Sequence, residues 1–345
     1  MAEAQKLTAA QRAANFAAAT RQNFHMLPSQ TTTQPGTTMQ FTYPKSRLLS
    51  KTFLKVEGTV NYTNTTVPVV KDDIYGIFRR VALSLNNGFD PFVVSGKELA
   101  AINSVRMNPA VIYNELIKSK TDESGKKVSF SFMLELENTL NQRDASSLIL
   151  LQNESTQVTL SVDITSDIES DLFTGQGVKC TLDSVTVTPC ILTYTIPNFQ
   201  EGFPDLSVIK LVHSRTETLT NAGQHILKLE TGRIYRKIVL RTFDRNGNKS
   251  NELLKGNIEM LYNTADTPQS IDADALRLKN ASDFGYMFLP GTYVFDFSGY
   301  SGFSNYGGTR DFVDTERLSE FWIRLNTTES SVRVNVIYET LARLS

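Results

Sequence analysis

Apolar and polar residues alternate in short runs through most of this 345-residue chain, and that alternation constrains the fold more than any other feature. In the run 292–298, Tyr293, Phe295 and Phe297 occupy every second position directly after a Pro-Gly pair. Side chains two residues apart share one face of a β-strand, and Pro and Gly are turn formers that mark where a strand begins. The three aromatic residues are therefore predicted to point into one core.

Strand patterns of this kind dominate from Leu48 onward. They occupy residues 53–62, 77–88, 128–137, 148–151, 157–165, 180–196, 206–214, 233–243, 257–263, 292–298, 320–326 and 332–341. Helical patterns interrupt them only at 96–120 and around 270–280. A strand with one apolar face must bury it, and about eight such strands forming two packed sheets make a jelly roll. The sequence therefore predicts an all-β chain with short inserted helices.

A segment containing two prolines and a glycine, Ile196 to Asp205, divides the strand patterns into two sets of similar size. Such a segment is typical of a connection between domains. We therefore predict two tandem eight-stranded jelly-roll β-sandwiches, the first at 41–200 and the second at 201–345.

Similarity between the two sets suggests that the unit is duplicated. The run 76–83 (GIFRRVAL) lines up with 233–240 (RIYRKIVL), and both lead toward an Asn-Gly hairpin signal. A rival alignment pairs 151–162 with 325–336 and would move the domain boundary to 166–177. We prefer the later boundary because it leaves equal numbers of strands on its two sides.

Residues 1–40 differ in character from the rest of the chain. Apolar residues and alanines recur there at three- and four-residue steps as far as Phe24, which predicts a helix with a weak apolar stripe. Thr8 is a candidate N-cap, and Pro28 ends the helical pattern. The polar segment 28–40 then contains two prolines and a glycine, and we predict an arm outside the core.

Composition argues against several classes of function. The net charge of −1 gives no general attraction for DNA or RNA, so no direct nucleic-acid partner is predicted. We find no segment with the apolar length of a membrane span and no secretory signal. Cys180 and Cys190 lie in one extended run spanning about 33 Å, beyond disulfide reach. Both are predicted to be buried free thiols, consistent with a reducing cytoplasm.

No motif for catalysis, metal binding or cofactor binding stands out. The chain has three histidines, and a zinc site needs three or four ligands. The run 243–252 superficially resembles a calcium loop, but Lys255 occupies the position where a bidentate Glu is needed, and a tight hairpin fits better. Neither a Gly-rich phosphate loop opening a helix nor a G-x-S-x-G elbow occurs. We predict a protein that is not an enzyme and has no cofactor or metal.

The order and spacing of the patterns resemble those of the double jelly-roll major capsid proteins of tectivirus-type phages, which are icosahedral viruses with a membrane inside the shell. Four features carry the resemblance: the Gln- and Ala-rich start, RIYRKIVLRTFDRNG (233–247), FLPGTYVFDFS (288–298), and the closing strand pair EFWIRLN and VRVNVIYETL. Together they cover nearly the whole chain.

The resemblance implies a structural coat protein of the virion, made in the host cytoplasm. Three copies would form a pseudo-hexagonal homotrimer that tiles an icosahedral shell beside neighbouring capsomers and a vertex (penton) protein. The N-terminal helix would lie on the inner face of the shell, close to the membrane. The residues of this chain assigned to that inner contact are Leu7, Arg12, Phe16, Arg21 and Phe24.

Two other interpretations stay open. A jelly-roll phage spike that binds or cleaves carbohydrate would need exposed aromatic residues and a carboxylate pair, and such pairs can come from distant strands. Trp322 is a candidate for stacking on a sugar, although we assign it, with Tyr293, Phe295 and Phe297, to the core of the second sandwich. A membrane-peripheral scaffold is the third interpretation, and it depends on the N-terminal helix alone.

Overall fold

The computed structural model describes residues 8–343 apart from 87, 141–145, 154, 200–201, 205, 264–265 and 299–311. The described residues form twenty strands, numbered here in chain order: β1 (Gln22–Met26), β2 (Gln30–Thr32), β3 (Thr38–Thr42), β4 (Leu48–Tyr62), β5 (Phe78–Leu85), β6 (Phe89–Val94), β7 (Lys118–Asp122), β8 (Lys127–Glu137), β9 (Ile149–Leu150), β10 (Val158–Ile164), β11 (Cys180–Tyr194), β12 (Val208–Leu219), β13 (Gly223–Leu229), β14 (Ile234–Phe243), β15 (Asn257–Tyr262), β16 (Asp266–Asp272), β17 (Thr292–Asp296), β18 (Val313–Asp314), β19 (Phe321–Thr327) and β20 (Val332–Arg343).

Four α-helices occur in the same part of the chain: α1 (Ala9–Ala19), α2 (Gly96–Ser104), α3 (Ile168–Leu172) and α4 (Ala273–Phe284). Their starts follow from the sequence. Ser95 and Glu98 form a reciprocal capping box at the start of α2, and the Asp272 carboxylate accepts hydrogen bonds from the first turn of α4. Gly285 ends α4 in the left-handed conformation that glycine adopts without strain (φ 76°).

The strands form three sheets. A seven-stranded sheet runs β1-β11-β4-β8-β7, with β2 and β9 pairing at its side, and a four-stranded sheet runs β13-β19-β15-β16. Between them lies a nine-stranded sheet, β17-β14-β20-β12-β6-β5-β10-β3, with β18 beside β14. The first sandwich packs the seven-stranded sheet on the β3–β10–β5–β6 part of the nine-stranded sheet. The second packs the four-stranded sheet on the remaining part.

Both sandwiches use the same interleaved strand order. Numbering the eight strands within each sandwich, one sheet runs first-eighth-third-sixth and the other second-seventh-fourth-fifth. The first sandwich follows this order with β1 and β2 sharing the first position and the β7–β8 hairpin supplying the sixth. A helix follows the fifth strand in both, α2 after β6 and α4 after β16. The predicted fold of two tandem jelly rolls with short inserted helices is therefore confirmed.

This topology overturns both sequence alignments of the two halves. The run 76–83 leads into β5, the fourth strand of its sandwich, whereas 233–240 lies on β14, the third strand of the other. The rival alignment also pairs different positions, because 151–162 leads into a seventh strand and 325–336 into an eighth. Any strand that buries one face shows the same alternation, so periodicity did not identify equivalent strands.

The segment predicted as an arm outside the core is part of the first sandwich. β1 and β2 pair with β11, and β3 pairs with β10, so residues 22–42 supply the first two strands of that sandwich. The sequence pattern did not predict these strands because one face of each is exposed and carries polar residues. In β3 only Met39 and Phe41 are buried. Among the described residues up to 40, α1 is the element that lies outside the sandwich.

The chain leaves the first sandwich at Tyr194 and enters the second at Val208, on either side of the predicted boundary at 200. The rival boundary at 166–177 is wrong, because β11 belongs to the first sandwich. We call the end of the strands that carries Tyr194 and Val208 the lower end.

One short parallel contact joins the sandwiches. Val212 and His213 of β12 pair with Phe92 and Val93 of β6. Phe92 belongs to the core of the first sandwich, whereas the His213 ring lies against Tyr338, in the core of the second (centroids 6.2 Å apart). Because adjacent strand residues face opposite sides, the two sandwiches lie on opposite sides of the nine-stranded sheet.

Close packing inside the first sandwich depends on one glycine. Gly58 lies in the middle of β4, and a Cβ there would come within 2.4 Å of the Phe130 ring on β8. The missing side chain leaves room for that ring to lie over β4, and the ring stacks on Phe132 of its own strand with the centroids 6.3 Å apart.

Candidate assembly surfaces

The N-terminal helix is fixed to the lower end of the first sandwich. Thr8 and Gln11 form a capping box, with the Thr8 Oγ1 accepting from the Gln11 N–H at 3.2 Å and the Gln11 Oε1 accepting from the Thr8 N–H at 2.9 Å. After α1, Arg21 and Thr195 exchange hydrogen bonds, which ties the start of β1 to the end of β11.

Phe16 attaches the helix, and its assignment to the membrane or inner-shell contact is wrong. The side chain is only 5% exposed and packs with Leu48 and Leu148, while its ring meets Tyr194 edge-on at 5.2 Å. Arg12 is half-buried and Arg21 is exposed. Leu7, the remaining helical residue of that assignment, lies outside the described residues.

Phe24 lies on the side of the first sandwich rather than on the helix. Its side chain is 59% exposed on the outer face of the seven-stranded sheet, with its ring centroid 5.8 Å from that of Phe53. The pairing Phe24–Leu192 and the adjacent pairing Met26–Cys190–Phe53 bring these residues to one face. We call Phe24, Met26, Phe53 and Leu192 the first patch.

The aromatic row that follows the Pro-Gly turn lies in the second sandwich as predicted. Tyr293 and Phe295 are 0% and 4% exposed in its core, and Phe297 is half-buried against the same cluster. Burial raises the pKa of Tyr293 to about 12. Between them, Val294 faces the opposite way and joins the cluster that extends from the first sandwich, so β17 is buried on both faces.

Trp322 does not belong to that core, and its assignment there is wrong. Its neighbours Phe321, Ile323 and Leu325 point inward and are 0% exposed, so the period of two places Trp322 and Arg324 on the outer face. There Lys228 Nζ lies 5.4 Å from the centre of the Trp322 ring. Trp322, Ile226 and Leu261 lie on this face and form what we call the second patch, in which Ile226 is 44% exposed and Leu261 is only 6% exposed.

A network of buried charges occupies the junction between the sandwiches, and the sequence analysis did not find it. Arg236 and Glu339, each 1% exposed at the side chain, pair at 3.0 Å, and Lys237 lies 3.6 Å from Asp296. Lys210 is 2% exposed and donates to the Thr139 carbonyl at 3.1 Å. The signal available in the sequence was the Arg-Lys pair inside the otherwise apolar run 234–240.

The network continues into the first sandwich. Arg106, just after α2, pairs with Glu137 at the end of β8. Lys51 on β4 bridges Glu135 and Glu137 at 2.7 and 2.9 Å. Buried ion pairs thus extend from the outer sheet of the first sandwich to the junction.

The electrostatics of the junction are dominated by Glu339. Burial alone would disfavour its ionised form, but Lys210, Lys237 and Arg236 hold the pKa of Glu339 well below its ordinary value of 4.5. Burial, together with the like charge of Arg106, lowers the pKa of Lys210. An ionised Glu339 is the consistent assignment, because it is the carboxylate that faces Arg236.

Residues considered for metal binding have other partners. His213 and His225 each have a ring nitrogen at hydrogen-bond distance from a backbone carbonyl, those of Asp90 and Asn221. The Asp244 carboxylate accepts the backbone N–H groups of Asn246 and Asn248 at 2.8 Å, closing a tight turn. In the described part of the chain, no three His, Cys, Asp or Glu side chains are grouped to hold a metal ion.

Both cysteines are free and buried, as predicted. Burial raises the pKa of the Cys180 thiol to about 11. No helix among the described residues is long and apolar enough to cross a membrane.

A groove lies between the two sandwiches, away from the lower end. Its volume is about 660 Å³, and the segments 70–72, 108–114 and 286–290 line it. Its aromatic side chains come from Tyr113, Tyr286 and Phe288. It has no pair of carboxylates on opposite walls, because Asp72 is its one acidic lining residue and is already paired with Lys249.

The fold defines a class of architecture: two jelly-roll sandwiches in one chain, a double jelly roll. Among solved structures, the major capsid protein of Sulfolobus turreted icosahedral virus superimposes with a TM-score of 0.68 and 14% identity, over 94% of this chain and 97% of that one. The PBCV-1 virus capsid gives a TM-score of 0.69 at 10% identity, over 93% and 94%.

The major capsid protein P2 of bacteriophage PM2 also matches, with a TM-score of 0.57 and 11% identity over 94% of this chain and 98% of that one. At these identities the likeness defines the fold. No family model matches the chain, and no curated protein matches it.

Proposed function

We propose that this chain is a structural major capsid protein that acts without catalysis. The observation that carries the proposal is that the double jelly roll superimposes on viral capsid proteins over nearly the full length of both chains. Two sandwiches per chain would give six lobes in a trimer, so three copies make a pseudo-hexagonal capsomer. Such capsomers, with a separate vertex protein, would tile an icosahedral shell in the virion after synthesis in the host cytoplasm.

Sedimentation and electron microscopy of the purified chain test this proposal. We expect a stable trimer with a six-lobed outline that assembles further into curved sheets or closed shells. A chain that stays monomeric at micromolar concentration would overturn it.

The inner contact is proposed for the helix α1 and the residues before it. α1 is docked at the lower end through Phe16, which leaves Arg21 exposed and Arg12 partly so. Two cations beside a docked helix suit an anionic lipid surface, and Leu7 would add an apolar contact. The net charge of −1 is compatible with a lipid layer between coat and genome and with no direct nucleic-acid contact.

Flotation with vesicles tests the lipid contact. We expect assembled wild-type particles to bind vesicles rich in anionic lipid and the double variant Arg12→Gln, Arg21→Gln to bind several-fold less. The matched control is Lys55→Gln, which removes an exposed cation from the side of the first sandwich. Equal binding by the double variant and wild type would exclude these arginines from the contact.

The alternative of a carbohydrate-binding or glycoside-cleaving spike finds no support in the structural comparisons. Trp322 is the residue that favoured this alternative. Lys228 lies over its ring, and the ion pair of Arg324 with Glu259 lies beside it, so it is not part of a concave aromatic surface.

A further inference from the structure

We propose that the side chains of Lys237 and Asp296 condense into an isopeptide bond, which joins β14 covalently to β17 inside the folded chain. Lys237 Nζ and Asp296 Oδ2 lie 3.6 Å apart, and the two side chains are only 2% and 4% exposed. The two residues are register partners on adjacent antiparallel strands, so the backbone holds them opposite one another. The bond forms within one chain and is independent of the proposed function.

The pair lies where water is excluded. The next cross-strand row on the same face of the sheet consists of Val239, Val294 and Ile337, which belong to the apolar cluster of the first sandwich. Burial disfavours the ammonium form and therefore lowers the pKa of Lys237. A desolvated lysine amine is a nucleophile, so this position favours reaction of the amine with the carboxyl group beside it.

The carboxyl group of Asp296 is held in an orientation that suits attack on its Cγ. Its Oδ1 accepts hydrogen bonds from the backbone N–H and the hydroxyl of Ser298, at 2.9 and 2.5 Å. Its Oδ2, which faces Lys237, has no hydrogen-bond partner among the described residues. Two donors on one oxygen are the arrangement that stabilises the oxyanion of a tetrahedral intermediate. The other oxygen is then the one that leaves.

Glu339 is positioned to carry the protons. It is the register partner of Lys237 on β20, on the side away from β17, and its side chain is 1% exposed. Directly opposed residues of antiparallel strands have Cβ atoms about 4.5–5.5 Å apart. Glu339 Oε1 accepts from Arg236 Nε at 3.0 Å, whereas Oε2 has no hydrogen-bond partner in the described part of the chain. Three adjacent strands thus bring an amine, a carboxyl group and a second carboxylate into one buried row.

The condensation needs no co-reactant. Lys237 Nζ attacks Cγ of Asp296 and forms the C–N bond, while the charge that develops on Oδ1 is stabilised by the donors of Ser298. The bond from Cγ to Oδ2 breaks, and Oδ2 leaves as water. Of the three protons of the ammonium group, one stays on the amide nitrogen and two, carried by Glu339, end on Oδ2. No atom is oxidised or reduced.

Mass spectrometry of the intact, denatured wild-type chain tests the proposal. We expect a mass lower than that of the sequence by one water, about 18 Da, and a branched tryptic peptide that joins residues 237–241 to residues 280–310. Lys237→Arg keeps the positive charge but removes the nucleophilic amine, and Asp296→Ala removes the carboxyl group. Both variants should keep the full mass of their sequences.

The time course of the mass change tests the role of Glu339. Glu339→Gln should slow the appearance of the bond in newly made protein about 100-fold and leave the final product unchanged. The matched control is Glu57→Gln, which changes an exposed carboxylate on β4 and should bond at the wild-type rate. Should Glu339→Gln not fold, the double variant Glu339→Gln, Arg236→Met takes its place. Equal rates in Glu339→Gln and wild type would overturn the role of Glu339.

A folded wild-type chain that keeps its full sequence mass would overturn the isopeptide bond and leave the capsid proposal standing. A loss of water that persists in Lys237→Arg would also overturn it, because the water would then have been lost elsewhere, as in a cyclised aspartate. A branched peptide that joins Lys237 to Glu339 instead of Asp296 would overturn it as well. Thermal melting of the wild type and of each variant establishes that the chains are folded.

Discussion

The two faces of the β14–β20 part of the nine-stranded sheet differ sharply. The face toward the second sandwich is apolar, with Val334, Val336 and Tyr338 in its core. On the other face of the same strand, Ile337 joins the apolar cluster of the first sandwich, and Glu339 joins a network of buried charges at the junction. Apolar burial is non-directional, whereas a buried ion pair is favourable only with its partner in place. We infer that the apolar face makes the sandwich stable and the charged face fixes how the two sandwiches sit together.

Phe295→Ala tests the apolar face and should have the largest effect. Removing a buried aromatic side chain should lower the free energy of unfolding by roughly 3–5 kcal/mol. Denaturation by urea, with Leu278→Ala as the exposed control, measures it. A loss equal to that of the control would mean that the aromatic row is not packed in the core.

Glu339→Gln tests the charged face and should cost about 3 kcal/mol, since it leaves Arg236 buried without its carboxylate. Adding Arg236→Met should recover part of the loss, because the uncompensated charge is then removed. A double-mutant cycle in urea gives the coupling free energy. Additive losses would show that the two side chains act independently and would weaken the comparison between the faces.

The charged face should also make stability depend on pH. The pKa of Glu339 is lower in the folded chain than its ordinary 4.5, so the unfolded chain binds more protons in acid. Its contribution is fully present above pH 4.5 and is lost as the pH falls toward the folded pKa, by about 1.4 kcal/mol per pH unit. The difference in unfolding free energy between wild type and Glu339→Gln should therefore narrow between pH 5 and pH 3. A difference in unfolding free energy that stays constant between pH 5 and pH 3 would contradict this role of Glu339.

Lys55→Ala should have the smallest effect. Lys55 pairs with Glu57 at 3.0 Å, but both side chains are about half exposed, and such pairs contribute about 0–1 kcal/mol. A change in unfolding free energy as large as that of Glu339→Gln would show that burial is not what distinguishes the junction.

The fold class could be predicted from the sequence because alternating residues report one buried face per strand. The aromatic residues at 293 and 295 were placed correctly for that reason. Trp322 was assigned to the core because of its size, although its alternation with Arg324 indicated the other face of the strand. Strand equivalence between the halves was not available, since the alternation in β5 and β14 is the same whatever their position in the sandwich.

The surfaces proposed for assembly were harder to predict. Phe24 was assigned to a helix because it continues the three- and four-residue spacing of the preceding residues. Its place on a strand is set by the pairing of β1 with β11. The junction charges Arg236 and Glu339 are 103 residues apart in the sequence. No local sequence pattern predicts an ion pair between two such distant strands. Features set by long-range pairing therefore required the structure.

The pairing of β1 with β11 has a consequence for the order of events during synthesis. Arg21 bonds Thr195 across 174 residues, so the opening strand of the first domain meets its neighbour only after that whole length has left the ribosome. Until then β1, with its exposed Phe24 and Met26, has no neighbouring strand to pair with. Contacts between residues so distant in sequence also form slowly. β1 therefore stays unpaired during most of synthesis. When many copies are made at once, an unpaired strand can pair with another chain, which leads to misassembly or aggregation.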